Sequence, residues 1–194
     1  LRDAYKFNRL HKDNAFRFRF GQSKIPYSFE NLQSSQNRLP LDRNDALNSS
    51  APNERDIGVF FYYAPKNIRA RFSELIKSGL RGSGDYGVFG LGVYDGQAAN
   101  KPELNDSRQY IARLLYPFKL RNGLFIEPGI QAYTGDYTLT SVSKNVKGTQ
   151  GYVYTDQRVA GSLVVYPQPI GFQAEYNIGK GPEYNPALDS IEHT

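Results

Sequence analysis

Two arginines, Arg17 and Arg19, alternate with three phenylalanines in the stretch FRFRF at residues 16–20. A guanidinium is permanently charged and presents several donors in a planar fork, which suits phosphate and carboxylate oxygens. On a β-strand the two arginines would share one face, about 6.6 Å apart along the strand. Successive weak contacts of this kind let an anion enter and also leave. If both arginines face an aqueous path, the pattern therefore indicates anion contact.

The same alternation fits two kinds of protein. In a soluble β-sandwich the phenylalanines would pack in the core and the arginines would face water. In an outer-membrane barrel the phenylalanines would face lipid and the arginines would face an aqueous lumen. These five residues alone support both interpretations equally.

Catalytic and metal-binding patterns are weak in this sequence. The two histidines, His11 and His193, lie near the two ends, and the chain has no cysteine. Neither the spacing of a zinc site nor that of a catalytic triad is present, and no nucleophile elbow or P-loop occurs. We therefore expect no enzyme activity, no metal site and no other cofactor.

Positive charge is concentrated in the first part of the chain. Residues 1–81 carry 15 Lys and Arg against 8 Asp and Glu, whereas residues 82–194 carry 9 against 11. A basic half indicates an anionic partner or, equally, a solvated basic face. One alternative function is therefore a soluble all-β protein that binds an anionic polymer through this face.

Period-two patterning separated by turn residues predicts an all-β chain. Long connections at 28–55, 95–107 and 134–155 alternate with short ones at 64–67, 117–123 and 167–171, which is the rhythm of an up-and-down barrel. Residues 68–83 interrupt it, and FSELIKSG at 72–79 predicts a short helix with Ser73 near its start and Gly79 beyond its end. The predicted strands are 15–27, 56–64, 85–96, 107–118, 124–133, 157–166 and 172–178.

Two details favour lipid on the apolar faces of these strands. Tyr110 and Tyr116 bracket one predicted apolar face, and aromatic residues at both ends of an apolar band are typical of membrane interfaces. The opposite faces mix glycine with isolated Arg, Gln, Glu and Ser. We therefore predict two sets of side chains: lipid-facing Phe16, Phe18, Leu114 and Val165, and lumen-facing Arg17, Arg19, Arg113 and Arg158.

Several local motifs, taken in order along the chain, resemble the phosphate-selective porin O/P family. They are DAYKF at 3–7, GQSKIPYSFE at 21–30, NERDIGVFF at 53–61, GLGVYDG at 90–96 and FQAEYNIGKGPEYNP at 172–186. The resemblance implies a 16-stranded antiparallel transmembrane β-barrel, usually a homotrimer, in the bacterial outer membrane. Because the chain begins at Leu1 rather than Met, we expect residues 1–194 to be a piece of one barrel domain with about seven or eight strands.

The resemblance also implies a passive diffusion channel for small anions such as phosphate. Its further implied partners are outer-membrane lipid and lipopolysaccharide, and no nucleic acid. In the family the segment at 28–55 is a constriction loop that folds into the lumen. In phosphate-specific members a lysine follows a Ser-Ser pair, but here Gln36, Asn37 and Arg38 follow Ser34 and Ser35. Phosphate specificity is therefore less strongly implied than anion preference.

The predicted anion-contacting residues are Arg17, Arg19, Lys24, Arg38, Arg43, Arg55, Arg113 and Arg158. Strand alternation places Lys24 on the other face of the strand from Arg17 and Arg19, unless a bulge at Gly21 or Pro26 changes its direction. Asp42 and Asp45 are expected to pair with the loop arginines. The competing interpretation is structural: loop-to-wall ion pairs for the loop arginines, and pairs with Glu127 or Glu175 for Arg113 and Arg158.

Overall fold

A computed structural model describes residues 14–39, 43–51 and 53–194. The strands are β1 (Phe16–Lys24), β2 (Arg55–Tyr63), β3 (Phe89–Tyr94), β4 (Gln109–Leu115), β5 (Phe118–Lys119), β6 (Phe125–Thr138), β7 (Val153–Val165), β8 (Phe172–Lys180), β9 (Pro182–Asn185) and β10 (Ser190–His193). The helices are α1 (Phe29–Leu32), α2 (Asp45–Ser50) and α3 (Lys66–Lys77), with 3₁₀ turns at Ser35–Asn37 and Gln150–Tyr152.

The main sheet has eight strands and is antiparallel throughout. Its order is β1-β2-β3-β4-β6-β7-β8, with β5 paired to β6, so strands that follow one another in sequence lie side by side. Within the described residues the sheet is open, with β1 and β8 at its edges. β9 and β10 form a separate hairpin. The predicted all-β antiparallel fold is confirmed, and the eight strands match the expected number.

Alternating burial gives the sheet two different faces. The outer face is exposed and apolar: Leu114 is 54% exposed and Ile130 is 53% exposed. The opposite, inner face carries buried rings such as Phe60 and Tyr133 together with polar side chains such as Gln131. By strand alternation Phe16, Phe18, Leu114 and Val165 belong to the outer face, and Arg17, Arg19, Arg113 and Arg158 belong to the inner face. This is the arrangement that the sequence predicts.

The segment between β1 and β2 covers the inner face. Its apolar residues Ile25, Tyr27, Leu47 and Ala51 pack against inner-face residues of strands from β2 to β7 in one core cluster. Burial of these side chains is what holds so polar a segment against the sheet. The 28–55 loop thus lies on the inner face. Pro40, Leu41, Asp42 and Pro52 of this loop lie outside the described residues, as do DAYKF and His11.

Helix α3 covers the inner face near the other end of the strands. Ile68, Phe72 and Leu75 recur at helical spacing and are buried against Leu115 and Phe125, among other residues. The predicted start at Ser73 is wrong, because the helix begins after Pro65, whose fixed φ suits a helix N-terminus. The predicted end is confirmed, since Gly79 follows α3 with φ +76°. No helix among the described residues is long and apolar enough to cross a membrane.

Two strands extend further than their polarity predicts. The expected loop at 134–155 is shorter, because Thr134–Thr138 pairs with Val153–Gln157 and continues the ladder between β6 and β7.

Pro128 lies within β6 although proline rarely occupies a central strand. It sits opposite the break between β4 and β5, where its carbonyl accepts from the Tyr116 N–H.

Tyr116 does not occupy the lipid-facing position that the sequence predicts. It lies just beyond the end of β4, and its ring packs against the cluster that contains Ile68 and Phe72 of α3. Tyr110 does lie on the outer face and is 56% exposed. The predicted pair of bracketing tyrosines on β4 is therefore wrong, because the strand ends one residue too early.

Candidate functional site

A carboxylate of β8 fixes the 28–55 loop to the edge of the sheet opposite β1. Glu175 accepts hydrogen bonds from the Ser28 hydroxyl at 2.9 Å and from the Phe29 N–H at 3.0 Å. Tyr27 donates its hydroxyl to Asn177 Oδ1 at 2.8 Å. Ser28 also accepts from the Glu30 N–H and so begins α1. The loop therefore crosses the inner face from β1 to β8.

A second anchor joins α2 of the loop to β7. Arg158 donates to the Ala46 carbonyl at 3.0 Å and to the Ser49 hydroxyl at 2.6 Å. Its Nε also lies 2.9 Å from Asp156 Oδ1 on the same strand. Arg158 therefore holds the loop in place, and its ion-pair partner is Asp156 rather than the predicted Glu127 or Glu175.

The connection between α3 and β3, residues 78–88, meets the loop on the inner face. Gln33 of the loop donates its side-chain amide to the Arg81 carbonyl at 2.7 Å. Asp85 forms ion pairs with Arg17 of β1 at 3.2 Å and with Arg69 of α3 at 2.9 Å. The 78–88 connection therefore contacts the 28–55 loop, β1 and α3.

A polar cavity of about 640 Å³ lies between the loop, β1 and the 78–88 connection. Its charged lining consists of Arg19, Lys24, Arg55 and Arg81 with the carboxylates Glu54 and Asp85. The polar residues Ser34, Ser35 and Tyr86 also line it. This cavity is the candidate site.

Both carboxylates of the cavity are already neutralised by cations. Glu54 forms ion pairs with Arg38 and, at 3.3 Å, with Lys24, and Asp85 holds its two arginines. In contrast, Arg19, Arg55 and Arg81 form no ion pair with any residue that the structure describes. The cavity therefore carries a positive excess that an incoming anion would meet.

Glu54 is a stable part of this charge arrangement. Burial disfavours its charged form, but the hydrogen bond from Arg38 and the charge of Lys24 outweigh that effect and hold the pKa of Glu54 below its ordinary value. Glu54 therefore stays ionised at neutral and mildly acidic pH. The ion pairs of Glu54 with Lys24 and with Arg38 therefore persist over the same pH range.

Arg19 is held by aromatic rings. Its guanidinium carbon lies 4.7 Å from the ring centroid of Tyr86 and 5.6 Å from that of Tyr62. Such contacts orient a guanidinium without neutralising its charge. The neighbouring Arg17 contacts Tyr62 similarly but is paired with Asp85.

Lys24 and Arg55 lie opposite each other at the ends of β1 and β2. Strict alternation would place both on the outer face, and the β1–β2 register runs without a bulge. Lys24 nevertheless reaches inward and donates to the carbonyls of Asn31 at 2.7 Å and Gln33 at 2.6 Å. Both residues line the cavity because the loop folds back around these strand ends.

Two of the predicted loop arginines, Arg38 and Arg43, are not part of the cavity lining. Arg38 is engaged by Glu54 and donates to the Glu30 carbonyl at 3.1 Å. Arg43 is buried and donates to the Ala51 carbonyl at 2.8 Å, so it braces the loop from within. Asp42 lies outside the described residues. Asp45 is exposed and forms no ion pair with any described residue, so its predicted pairing with a loop arginine is wrong.

Arg113 is 3% exposed on the inner face. Its guanidinium carbon lies 6.0 Å from the ring centroid of Tyr86, and within the described part of the chain its Nε and Nη1 have no hydrogen-bond partner. No described carboxylate comes within ion-pair distance of Arg113, so the pairing with Glu127 or Glu175 is not observed.

The 78–88 connection is the part of the site that the sequence patterns did not predict. Arg81, Asp85 and Tyr86 all line the cavity. A signal was present in the stretch RGSGDYG at 81–87, where glycines alternate with two charges and a tyrosine. Among the described residues, no group of His, Cys, Asp and Glu side chains could hold a metal ion.

Comparison with known proteins gives one result. The family model described as phosphate-selective porin O and P matches residues 1–191 of the 194 residues. No curated protein and no solved structure matches the chain.

Proposed function

The chain belongs to the phosphate-selective porin O and P family of bacterial outer-membrane porins, and from that premise we propose that it forms a passive channel that prefers small anions. The porin family is a channel family. Its outer-membrane setting agrees with the exposed apolar outer face and the polar inner face. The soluble anionic-polymer-binding alternative does not account for that exposed face.

The cavity's uncompensated positive charge supports the anion preference. Glu54 and Asp85 are engaged by other cations, whereas Arg19, Arg55 and Arg81 have no ion-pair partner among the described residues. Fixed charges at a narrow point act on every passing ion and set the selectivity of a channel. Several separate arginines also provide weak sites through which an ion can move.

Tight phosphate binding is not part of the proposal. Ser34 and Ser35 line the cavity, but the cation that follows them, Arg38, is engaged by Glu54 and by the Glu30 carbonyl. Two of its donor groups, Nε and Nη2, are therefore already engaged and are not free to bind phosphate. Phosphate should permeate or compete weakly rather than block the channel.

The test is a measurement of reversal potential for the intact porin in planar bilayers under a KCl gradient. We expect chloride to permeate more readily than potassium. The preference should shrink at about 1 M salt, where the Debye length falls to about 3 Å. Strong cation selectivity would contradict the proposed anion preference. Block of the chloride current by micromolar phosphate would contradict the proposed weak phosphate contact.

The proposed assembly is a homotrimer in contact with outer-membrane lipid and lipopolysaccharide. The proposal rests on the family and on the apolar outer face. Electrophoresis in detergent before and after heating tests it, because a trimer should migrate as a large species that heating converts to the monomer. Migration as a monomer without heating, together with a monomeric mass in mild detergent, would contradict it.

A further inference from the structure

We infer that Arg81, in the 78–88 connection, is a specificity-determining residue of the channel, and that the constriction is built from both ends of the sheet. This inference rests on the proposed anion channel. It assigns part of the selectivity to a segment outside the 28–55 loop.

The two segments around the cavity come from opposite ends of the strands. One end, here called the loop rim, carries connections 25–54, 95–108 and 139–152; the other, the turn rim, carries 64–88, 116–124 and 166–171. The 78–88 connection starts at the turn rim and the 28–55 loop at the loop rim. They meet at the hydrogen bond from Gln33 to the Arg81 carbonyl.

The backbone at Arg81 is held in a conformation that side chains other than glycine rarely adopt. Its φ is +62°, in the left-handed region, and it is followed by Gly82 and Gly84. Such a conformation persists only where surrounding contacts impose it. Gln33 provides one contact and is itself only 3% exposed. The backbone position of Arg81, and with it the point from which its side chain starts, is therefore set by the contact between the two segments.

The charge of Arg81 is available to the cavity. Arg81 is exposed, and no described carboxylate pairs with it. Asp85, the nearest acidic residue in the same connection, is occupied by Arg17 and Arg69. Arg81 therefore adds positive charge to the cavity from the side opposite the loop.

The test compares reversal potentials of the intact porin and its Arg81→Gln variant in planar bilayers with a gradient of about 0.1 M KCl. One charge within a few ångströms of the ion path should change the chloride-to-potassium permeability ratio by roughly two- to fourfold. The matched control is Arg121→Gln, since Arg121 is an exposed arginine of the turn rim outside the cavity lining. Arg81→Lys should retain most of the preference and shows whether the channel tolerates a change at this position.

Each outcome has a separate meaning. A fall in the ratio for Arg81→Gln, with wild-type values for Arg121→Gln and near wild-type values for Arg81→Lys, supports the inference. If Arg55→Gln lowers the ratio and Arg81→Gln does not, Arg81 has no such role and the anion channel stands. An equal fall for Arg81→Gln and Arg121→Gln also overturns the inference. If the wild-type porin shows no anion preference, the proposed function itself fails.

Discussion

At the scale of single residues, the partner of each arginine decides what its charge can do. Arg17 and Arg38 each face a carboxylate, and Arg158 is held by Asp156 and the loop. Arg19 rests on the rings of Tyr86 and Tyr62, which leave its charge uncompensated. A residue's position on the inner face therefore does not suffice to make it a contact for ions.

Glu54 provides a prediction for one carboxylate. Glu54→Gln removes a negative charge from the cavity lining and frees Lys24 and Arg38, so the chloride preference should rise at neutral pH. Because the wild-type pKa of Glu54 is lowered, the carboxylate remains charged until the pH falls below the ordinary glutamate range. The difference between variant and wild type should persist down to that range and vanish below it.

Reversal potentials measured from pH 7 downwards check this prediction. Glu103→Gln serves as a control because Glu103 pairs with Arg108 at the loop rim, outside the cavity. A lower chloride preference in Glu54→Gln at neutral pH would contradict the charge assignment.

Phe18 provides a prediction for the outer face. Phe18→Arg places a charge among the rings of Phe20 and Phe61 on that face, which we propose lies in lipid. The free energy of unfolding of the variant should be lower than that of wild type by about 2–4 kcal/mol if the site lies near the bilayer midplane. Gln22→Arg, on the same face of β1 but closer to the loop rim, should lower the free energy of unfolding by less. Urea titrations in lipid vesicles measure both; equal stability of Phe18→Arg and wild type would contradict lipid contact.

At the scale of elements, the position of the 28–55 loop depends on its contacts with β7 and β8. Glu175 caps the start of α1 by accepting from Ser28 and Phe29. Arg158 fixes α2 through Ala46 and Ser49. Neither anchor takes part in the β1–β2 ladder, so a change at either anchor tests the position of the loop without removing a strand pair.

Glu175→Ala should free the start of the loop. Without the acceptor, the Ser28 hydroxyl and the Phe29 N–H lose their partner, so single-channel recordings should show larger current fluctuations than wild type. Glu183→Ala, at an exposed glutamate in the β9–β10 hairpin, should leave the recordings unchanged. Wild-type noise in Glu175→Ala would show that this carboxylate does not hold the loop.

The strands could be predicted from sequence because their pattern is local. Alternation of Phe16, Phe18 and Phe20 with arginine identifies β1 and its two faces without knowledge of the rest of the chain. The extension of β6 to Thr138 could not be predicted, because it depends on pairing with β7 across a loop. The contribution of Arg81 depends on the approach of two segments from opposite ends of the sheet, which no local pattern encodes.

At the scale of the whole molecule, charge and polarity are both separated. The charged residues that line the cavity run from Arg19 to Asp85, so most of them fall in the basic part of the chain, residues 1–81. The apolar outer face lies on the other side of the same sheet. One antiparallel sheet thus presents an apolar surface to one environment and a positive, loop-covered surface to another.

Reactivity of single cysteines tests most directly that the inner face lines an aqueous, anion-attracting path. Residues 1–194 contain no cysteine, so Arg19→Cys and Phe18→Cys each introduce a single thiol into this part of the chain. In membranes containing the intact porin, Cys at position 19 should react quickly with a water-soluble thiol reagent, and faster with an anionic reagent than with a cationic one of similar size. Cys at position 18 should react slowly with both. Fast reaction at position 18 with protection at position 19, or faster reaction of the cationic reagent at position 19, would contradict the account.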